Sequence, residues 1–297
     1  MVEIEKLFKD KPYLYRMGAK TVSKRFNVSE DKIRKYKQSL KASKRSKILI
    51  LDIETAPLQA YVWSRWKQNV YLEQTISEWF MISWSAKWLN DDKIYSDVLT
   101  SKEILAEDDK RIVSKLWQLL DECDIVIAHN GKRFDVPKMN ARFIIHDMYP
   151  PSFYKQIDTK EIASRQFGFS SNKLDALAGY FNIEHKDDTD FELWKRCMEG
   201  HTPSLKYMEK YNRKDIVILE KVYLRMRPWI PSHPNMSLYN PTGELQCTAC
   251  GSTHLKEDNH YYTNRNKFKV YRCEDCGSLS RDTKGEIKLK TLSPIPR

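Results

Sequence analysis

The sequence predicts a mixed α/β protein in which a mixed sheet is flanked by helices, with a small module on either side of it. Three observations predict this. Short apolar and β-branched runs alternate with helical periodicity over residues 46–228. Residues 1–45 are rich in Lys and Arg, and residues 243–297 contain two Cys-x-x-Cys pairs. The 297 residues suffice for one core of about 150–200 residues and smaller modules.

The net charge of +11 is concentrated at the two ends of the chain. Residues 1–47 carry 15 Lys and Arg against 5 Asp and Glu, and residues 229–297 carry 10 against 7, which leaves the middle at −2. Such basic flanks are typical of nucleic-acid binding, although ordinary solvated lysines explain them as well. No run reaches the roughly 18 apolar residues of a membrane helix, so we expect a soluble, cytoplasmic protein without a membrane partner.

The first module, residues 1–45, predicts two short helices joined by a turn at residues 26–28. Four apolar residues have the spacing of a small shared core: Val22, Phe26, Val28 and Ile33. Four cations lie along the second helix: Lys32, Arg34, Lys35 and Lys37. The pattern resembles a helix-turn-helix, whose second helix would lie against DNA. A basic helical hairpin that contacts phosphates, or packs on the next domain, is the alternative.

The central segment, residues 46–228, contains five predicted strands, at residues 47–54, 80–88, 93–100, 124–130 and 153–159. Helical periodicity is found at residues 108–122, 136–147, 171–183 and 203–226. Three adjacent strands followed by alternating helices and strands predict a mixed sheet with helices on its faces. Residues 228–242 contain four prolines and no helical pattern, and predict a semi-rigid linker over 229–242.

The first predicted strand ends in two acids, Asp52 and Glu54. Side chains at positions i and i+2 of a strand project from the same face, so these two carboxylates repel one another. Because burying a carboxylate costs several kcal/mol, the pair requires either solvent at the strand end or a compensating cation. Taken alone, the pair favours the solvated strand end.

Two later stretches bring further groups of the same kind. HNGKRFD places Asp135 after an apolar strand and a turn at Asn130 and Gly131. YNRKD places Tyr211 and Asp215 four residues apart, so that a phenol and a carboxylate share one face of a helix. Together with Asp52 and Glu54, these groups favour a bound cation over a solvated strand end as the explanation of the paired acids.

The stretches DIET, HNGKRFD and YNRKD, in this order over about 165 residues, resemble the three motifs of the DEDD (DnaQ-like) 3′–5′ exonucleases. The match covers roughly residues 48–228. Its last motif is similar to that of the tyrosine branch, which includes the proofreading domains of family B DNA polymerases; the histidine branch would need His in place of Lys210. The resemblance implies a ribonuclease-H-like fold and hydrolysis of DNA or RNA from single-stranded or 3′ ends, with DNA slightly favoured.

The resemblance also implies a role for each motif residue. Asp52 would bridge two divalent ions, and Glu54 and Asp215 would complete the site of the catalytic ion. Asp135 would serve the second ion through ordered water, and Tyr211 would orient the attacking water. Phosphodiester hydrolysis independently favours two ions about 3.5–4 Å apart, because both the incoming hydroxide and the departing 3′ oxygen are stabilised. Oxygen ligands favour Mg²⁺ or Mn²⁺ over zinc.

Other side chains near the motifs could contact the substrate. Four of them could bind phosphates, although each could equally be an ordinary surface residue: Asn130, Lys132, Arg133 and Lys173. Four aromatic residues after the first strand could stack on an unpaired end, although core packing is the usual role of such residues: Trp63, Trp66, Tyr71 and Phe80.

The last module, residues 243–297, contains the paired cysteines Cys247, Cys250, Cys273 and Cys276. Two such pairs, separated by 22 residues, can close a tetrahedral zinc site, and the pattern resembles a zinc ribbon. Disulfides are the alternative. Four thiolates leave no open coordination position, so we expect one structural zinc ion. The module could bind nucleic acid or hold a protein partner.

Two other functions remain open from the sequence. One is a sequence- or structure-specific nucleic-acid-binding protein whose nuclease-like centre is inactive, and the complete set of acids argues against it. The other is an endonuclease on the same fold, because the flanking modules could place internal bonds at the site.

Overall fold

The computed structural model describes residues 4, 7–8, 14, 17–34, 36, 46–184 and 189–286. The chain forms two compact units, one of residues 47–234 and one of residues 1–46 together with residues 235–297. The described residues include no helix long and apolar enough to cross a membrane.

The secondary-structure elements are numbered here in chain order. The strands are β1 (Ile48–Thr55), β2 (Gln59–Ala60), β3 (Thr75–Ser77), β4 (Met81–Trp88), β5 (Ile94–Val98), β6 (Ile125–Ala128), β7 (Lys155–Asp158), β8 (Leu255–Tyr262), β9 (Lys267–Cys273) and β10 (Leu279–Arg281). The helices are α1 (Ala19–Phe26), α2 (Ser101–Leu105), α3 (Lys110–Glu122), α4 (Asp135–Ile145), α5 (Thr159–Gln166), α6 (Leu174–Tyr180), α7 (Phe191–Met198), α8 (Thr202–Met226) and α9 (Met236–Tyr239).

The larger unit is built on a five-stranded mixed sheet with the order β5-β4-β1-β6-β7. The central strand β1 pairs antiparallel with β4 and parallel with β6. The outer strands β5 and β7 pair antiparallel with β4 and parallel with β6, respectively. All five predicted strands are confirmed, because each of them pairs with a neighbour in this sheet.

Both faces of the central strand are buried. Leu49, Ile50 and Leu51 are successive residues of β1 and none of them is exposed to solvent. Such a continuous apolar run is expected where helices cover a sheet on both sides. The long helix α8 packs against β1 and β4, and its residues Leu205 and Met208 join the same hydrophobic core. The strand and helix that carry the predicted acids are therefore firmly held.

Several shorter elements of this unit were not predicted. The sequence analysis missed helices α2 and α7 and the small β2–β3 ribbon. Helix α5 begins where the Asp158 side chain accepts hydrogen bonds from the backbone N–H groups of Lys160 and Glu161, which is an N-cap. The missed elements have eight residues or fewer, which is too short for a clear periodicity.

The smaller unit contains the predicted N-terminal helix pair. Helix α1 is followed by Asn27, which has a left-handed backbone (φ 50°), and residues 30–34 are again helical. The predicted core is confirmed, because Val22 and Ile33 are fully buried and Phe26 and Val28 pack against them. Lys35 and Lys37 lie outside the described residues.

The cysteine-containing part of this unit is a three-stranded antiparallel sheet with the order β10-β9-β8. Helix α9 precedes it and corrects the prediction that residues 228–242 have no helical pattern. The helix forms because the Asn235 side chain accepts a hydrogen bond from the Ser237 N–H, and the Met236 N–H donates to the Thr248 carbonyl.

Candidate active site

Three acids from two distant parts of the chain meet at the C-terminal end of β1. Asp52 and Glu54 of β1 and Asp215 of α8 each offer a carboxylate oxygen, and these oxygens lie within 4.8 Å of one another. Asp215 is 2% exposed, whereas the two acids of β1 are half-buried. The structure thus brings together the first and third predicted motifs.

The fourth predicted acid, Asp135, contacts the strand that carries two of these acids. It is the first residue of α4 and is 1% exposed, and its Oδ1 accepts a hydrogen bond of 3.2 Å from the backbone N–H of Ile53. Ile53 is the residue between the two acids of β1, so the second motif is bonded to the backbone of the first. Burial raises the pKa of Asp135 to about 7, although the Ile53 N–H acts in the opposite direction.

Helix α8 contributes two further side chains. Tyr211 lies one turn before Asp215, is buried, and belongs to the hydrophobic core. The fully buried Asn212 donates a hydrogen bond of 2.6 Å from Nδ2 to Oδ2 of Asp52. Sequence reasoning missed this contact. No local pattern in the sequence indicates it, because the two residues are 160 positions apart.

The backbone of the loop between β6 and α4 restricts which residues can occupy positions 130 and 131. Asn130 has a left-handed conformation (φ 73°), which Asn tolerates better than most residues. A Cβ atom added to Gly131 would lie 2.5 Å from the Cβ of Ala128, so no larger residue fits without a shift. The predicted Asn-Gly turn therefore delivers the chain from the sheet to Asp135.

The buried carboxylate of Asp158, at the end of β7, holds this loop in place. Its Oδ1 accepts hydrogen bonds of 3.0 Å from the N–H of Asn130 and 3.0 and 3.1 Å from those of Lys160 and Glu161. Its Oδ2 accepts one of 3.1 Å from the N–H of Lys132. The bonds to the loop could not be predicted from the sequence, because the loop residues are 26 and 28 positions earlier in the chain.

An open groove of about 350 Å³ lies along this loop and α5. Its lining contains two acids, Asp158 and Glu161, and seven polar or basic residues: Asn130, Lys132, Arg133, Lys160, Ser164, Arg165 and Asn172. Three of the four predicted phosphate contacts are therefore brought together. Lys173 is not among the described residues of the lining; it is exposed and precedes the first residue of α6.

Among the described residues, some of the cations in the groove are paired with an acid, and others are free to bind an anionic ligand. Glu161 forms ion pairs with Lys132 (2.5 Å) and Arg165 (2.7 Å), and the hydrogen bond from Lys132 lowers the pKa of Glu161. Arg133 and Lys160 form no ion pair with the described residues. The groove therefore keeps positive charge that an anionic ligand can reach.

The smaller unit contains a second metal-capable group. The Sγ atoms of Cys247, Cys250, Cys273 and Cys276 lie within 4.8 Å of one another. The thiols are free, and the Sγ atoms of Cys247 and Cys276 are 3.6 Å apart, well beyond the roughly 2.05 Å of a disulfide. Two neighbouring cations are neutralised, because Lys269 and Arg272 pair with Glu257 and Asp258.

The two donor sets fit different metal ions. Carboxylate oxygens suit hard cations such as Mg²⁺ and Mn²⁺, whereas four thiolates suit zinc. Both groups are compatible with metal binding.

The matched family and the fold agree. A family model of the RNase_H superfamily matches residues 49–227, more than half of the chain. No curated protein matches the sequence. Among solved structures, the family B DNA polymerase from the hyperthermophilic archaeon Pyrobaculum calidifontis is similar, with 14% identity and a TM-score of 0.45 over 62% of this chain. The match spans 25% of that polymerase. The predicted ribonuclease-H-like fold is confirmed, and the chain belongs to the RNase H superfamily.

Proposed function

We propose that this chain is a divalent-metal-dependent 3′–5′ exonuclease of the tyrosine branch of the DEDD enzymes. The observation that carries the proposal is the clustering of Asp52, Glu54 and Asp215 within 4.8 Å. Asp135 is hydrogen-bonded to the backbone between the first two, and Tyr211 lies one turn from the third. Membership of the RNase H superfamily supports nuclease activity on nucleic acid.

The side chains of the site have separate tasks in this proposal. Asp52, Glu54 and Asp215 would hold the catalytic ion, and Asp135 would serve a second ion through water. Two bound Mg²⁺ or Mn²⁺ ions would supply the activated water and stabilise the departing 3′ oxygen. Asn212 orients Asp52 through its hydrogen bond, as residues behind a metal ligand commonly do. Tyr211 would orient the attacking water.

The groove beside the loop would hold the sugar–phosphate backbone of the substrate. Arg133 and Lys160 are the cations that Glu161 leaves available, and Asn130 adds an amide. Phosphate contacts position a strand without reading its sequence. We therefore expect cleavage with little sequence preference, and both DNA and RNA are candidate substrates, with DNA slightly favoured.

The two modules of the smaller unit would assist binding. The four cysteines would hold one structural zinc ion. Helix α1 and the helical residues 30–34 resemble a helix-turn-helix, and Lys32 and Arg34 of the second helix are exposed. DNA or a protein partner could bind this unit.

A panel of labelled strands tests the activity. Single-stranded DNA and RNA of matched sequence, each labelled at the 5′ end and with a free or blocked 3′ end, are incubated with Mg²⁺ or Mn²⁺. We expect a ladder of products that shorten from the 3′ end, and no products from the blocked strands. A circular single strand is the matched control and should stay intact. Cleavage of the circle would support the endonuclease alternative, and binding without any hydrolysis would support the inactive binding protein.

A further inference from the structure

The segment between β2 and β3, residues 61–74, exposes an unusual number of large aromatic side chains. We name it the aromatic arm. Trp63 is 96% exposed and Trp66 is 82% exposed, and Tyr61 and Tyr71 are exposed as well. Tryptophan is normally well buried, and a cluster of exposed aromatic residues marks an interaction surface.

The aromatic arm is held by its own hydrogen bonds. The Tyr61 N–H donates to the Gln74 carbonyl at 2.9 Å, and Nε2 of Gln74 donates to the Tyr61 carbonyl at 3.1 Å, which closes the base. Near the tip, Nε2 of Gln68 donates to the Trp66 carbonyl at 2.8 Å. Because the backbone is already organised, a ligand that stacks on the rings incurs little ordering cost.

The chain that leads into the arm begins at the end of β1, the strand that carries two of the acids. The Ala56 N–H donates to the Phe80 carbonyl at 2.8 Å, and Thr55 pairs with Met81. Ala56 is two residues from Glu54. Phe80 is 2% exposed and belongs to the core, so the expectation that it stacks on a substrate is wrong.

The charge of the arm selects the class of ligand. The arm contains two cations, Arg65 and Lys67, and one acid, Glu73 beside its base, so its net charge is +1, and all three side chains are exposed. The two cations lie between the aromatic residues Trp63 and Tyr71 in the sequence. Aromatic rings interleaved with cations suit an unpaired nucleic-acid strand, whose bases stack on the rings while its phosphates meet the cations.

We propose that the aromatic arm binds the unpaired strand whose 3′ end enters the acid centre. Bases stack on Trp63 and Trp66, and Arg65 and Lys67 contact the phosphates. The assignment of the bound strand as a substrate rests on the proposed exonuclease function, whereas the binding itself is measured separately.

Binding to the full-length chain tests the arm. Fluorescence anisotropy in Ca²⁺ compares a labelled oligo(dT) strand with an abasic strand of equal length and charge. We expect Trp63→Ala and Trp66→Ala each to weaken oligo(dT) binding about tenfold, with binding of the abasic strand unchanged. Trp63→Phe and Trp66→Phe keep a ring and should stay within about threefold of the unaltered chain. Phe153→Ala removes an exposed ring outside the arm and should have no effect.

Two results would overturn the proposal. One is equal affinity of the unaltered chain for oligo(dT) and the abasic strand, which would leave the arm to a protein partner. The other is an equal loss of both affinities in the alanine variants. Hydrolysis of thymidine 5′-p-nitrophenyl phosphate in Mn²⁺ is measured in parallel for the unaltered chain and for Phe153→Ala, and the two rates should be equal, because Phe153 lies outside the arm and the acid centre. If no substrate is hydrolysed, the exonuclease proposal fails and the anisotropy still decides the role of the arm.

Discussion

The acid centre and the cysteine cluster both bring metal-capable side chains together, but the hydrophobic cores that support them differ greatly in size. The acids stand on β1 and α8, whose neighbours Leu49, Leu51 and Met208 are fully buried in a large core. In the cysteine cluster, the buried core is Cys247, Ala249 and Cys273, so the ligands themselves make most of it.

Because of this difference, we expect a metal ion to be needed for folding at the cysteine cluster but only for activity at the acid centre. The sheet that holds the acids has its own core, and the acids repel one another when no cation is bound. The three-stranded sheet of the cysteine cluster is too small for a sufficient core, so a metal ion would supply much of its folding free energy. Metal removal should therefore stop activity at the first site and unfold the second.

The largest expected effect is loss of the cysteine module. Cys250→Ser removes one of four metal ligands, and we expect β8, β9 and β10 to lose their protection from hydrogen exchange. Structural zinc sites of this kind contribute on the order of 10 kcal/mol to folding. Cys197→Ala is the matched control, since that buried thiol lies in the other unit and the variant should retain zinc. Full protection without zinc would show that the module folds by its own core.

The second effect concerns activity. Asp215→Asn should reduce strand hydrolysis about 1,000-fold, or about 4 kcal/mol, because it removes a metal ligand. Its melting temperature should be unchanged or higher, because one of three crowded carboxylates is neutralised. Asp92→Asn alters an exposed acid and should change neither. If Asp215→Asn lost activity and also had a much lower melting temperature than the unaltered chain, the acid would be needed for folding, which would contradict this account.

A smaller loss of activity is expected from Asn212→Ala. The substitution removes the hydrogen bond to Asp52, so metal affinity should fall about 10- to 100-fold. A titration of activity with Mg²⁺ measures this, and saturating Mg²⁺ should restore most of the rate. Asn140→Ala, at an exposed position of α4, is the control. An unchanged titration would mean that Asp52 is oriented without Asn212.

The smallest effect tests the loop before Asp135. Gly131→Ala places a Cβ atom 2.5 Å from that of Ala128, and overpacking of this kind costs about 1–3 kcal/mol of unfolding free energy. Gly168→Ala has no atom within 4 Å of the new Cβ and should be neutral. Urea denaturation compares the two variants. Equal stabilities would show that the loop can shift at no cost.

The sheet could be predicted because its strands are encoded locally. The apolar run of β1 and the helical periodicity of α3 and α8 are long enough to read from sequence. The short helices α2 and α7 were missed because their stability depends on caps and packing.

The acids could likewise be predicted from their spacing, whereas their supports could not. The bond from Asn212 to Asp52 joins residues 160 positions apart, and no local pattern announces it. The same holds for the hydrogen bonds from the loop to Asp158. Trp63 is exposed and Phe80 is buried because of tertiary packing. The sequence does not show this packing, so the sequence analysis assigned both residues the same possible role.

The most direct test measures metal content and strand hydrolysis on one preparation. The full chain is purified without added Mg²⁺ or Mn²⁺ and assayed for zinc and for shortening of a 5′-labelled single strand. We predict one zinc ion per chain and no hydrolysis until Mg²⁺ or Mn²⁺ is added, after which products shorten from the 3′ end. Hydrolysis that follows the zinc content, or no hydrolysis with either ion, would contradict the account.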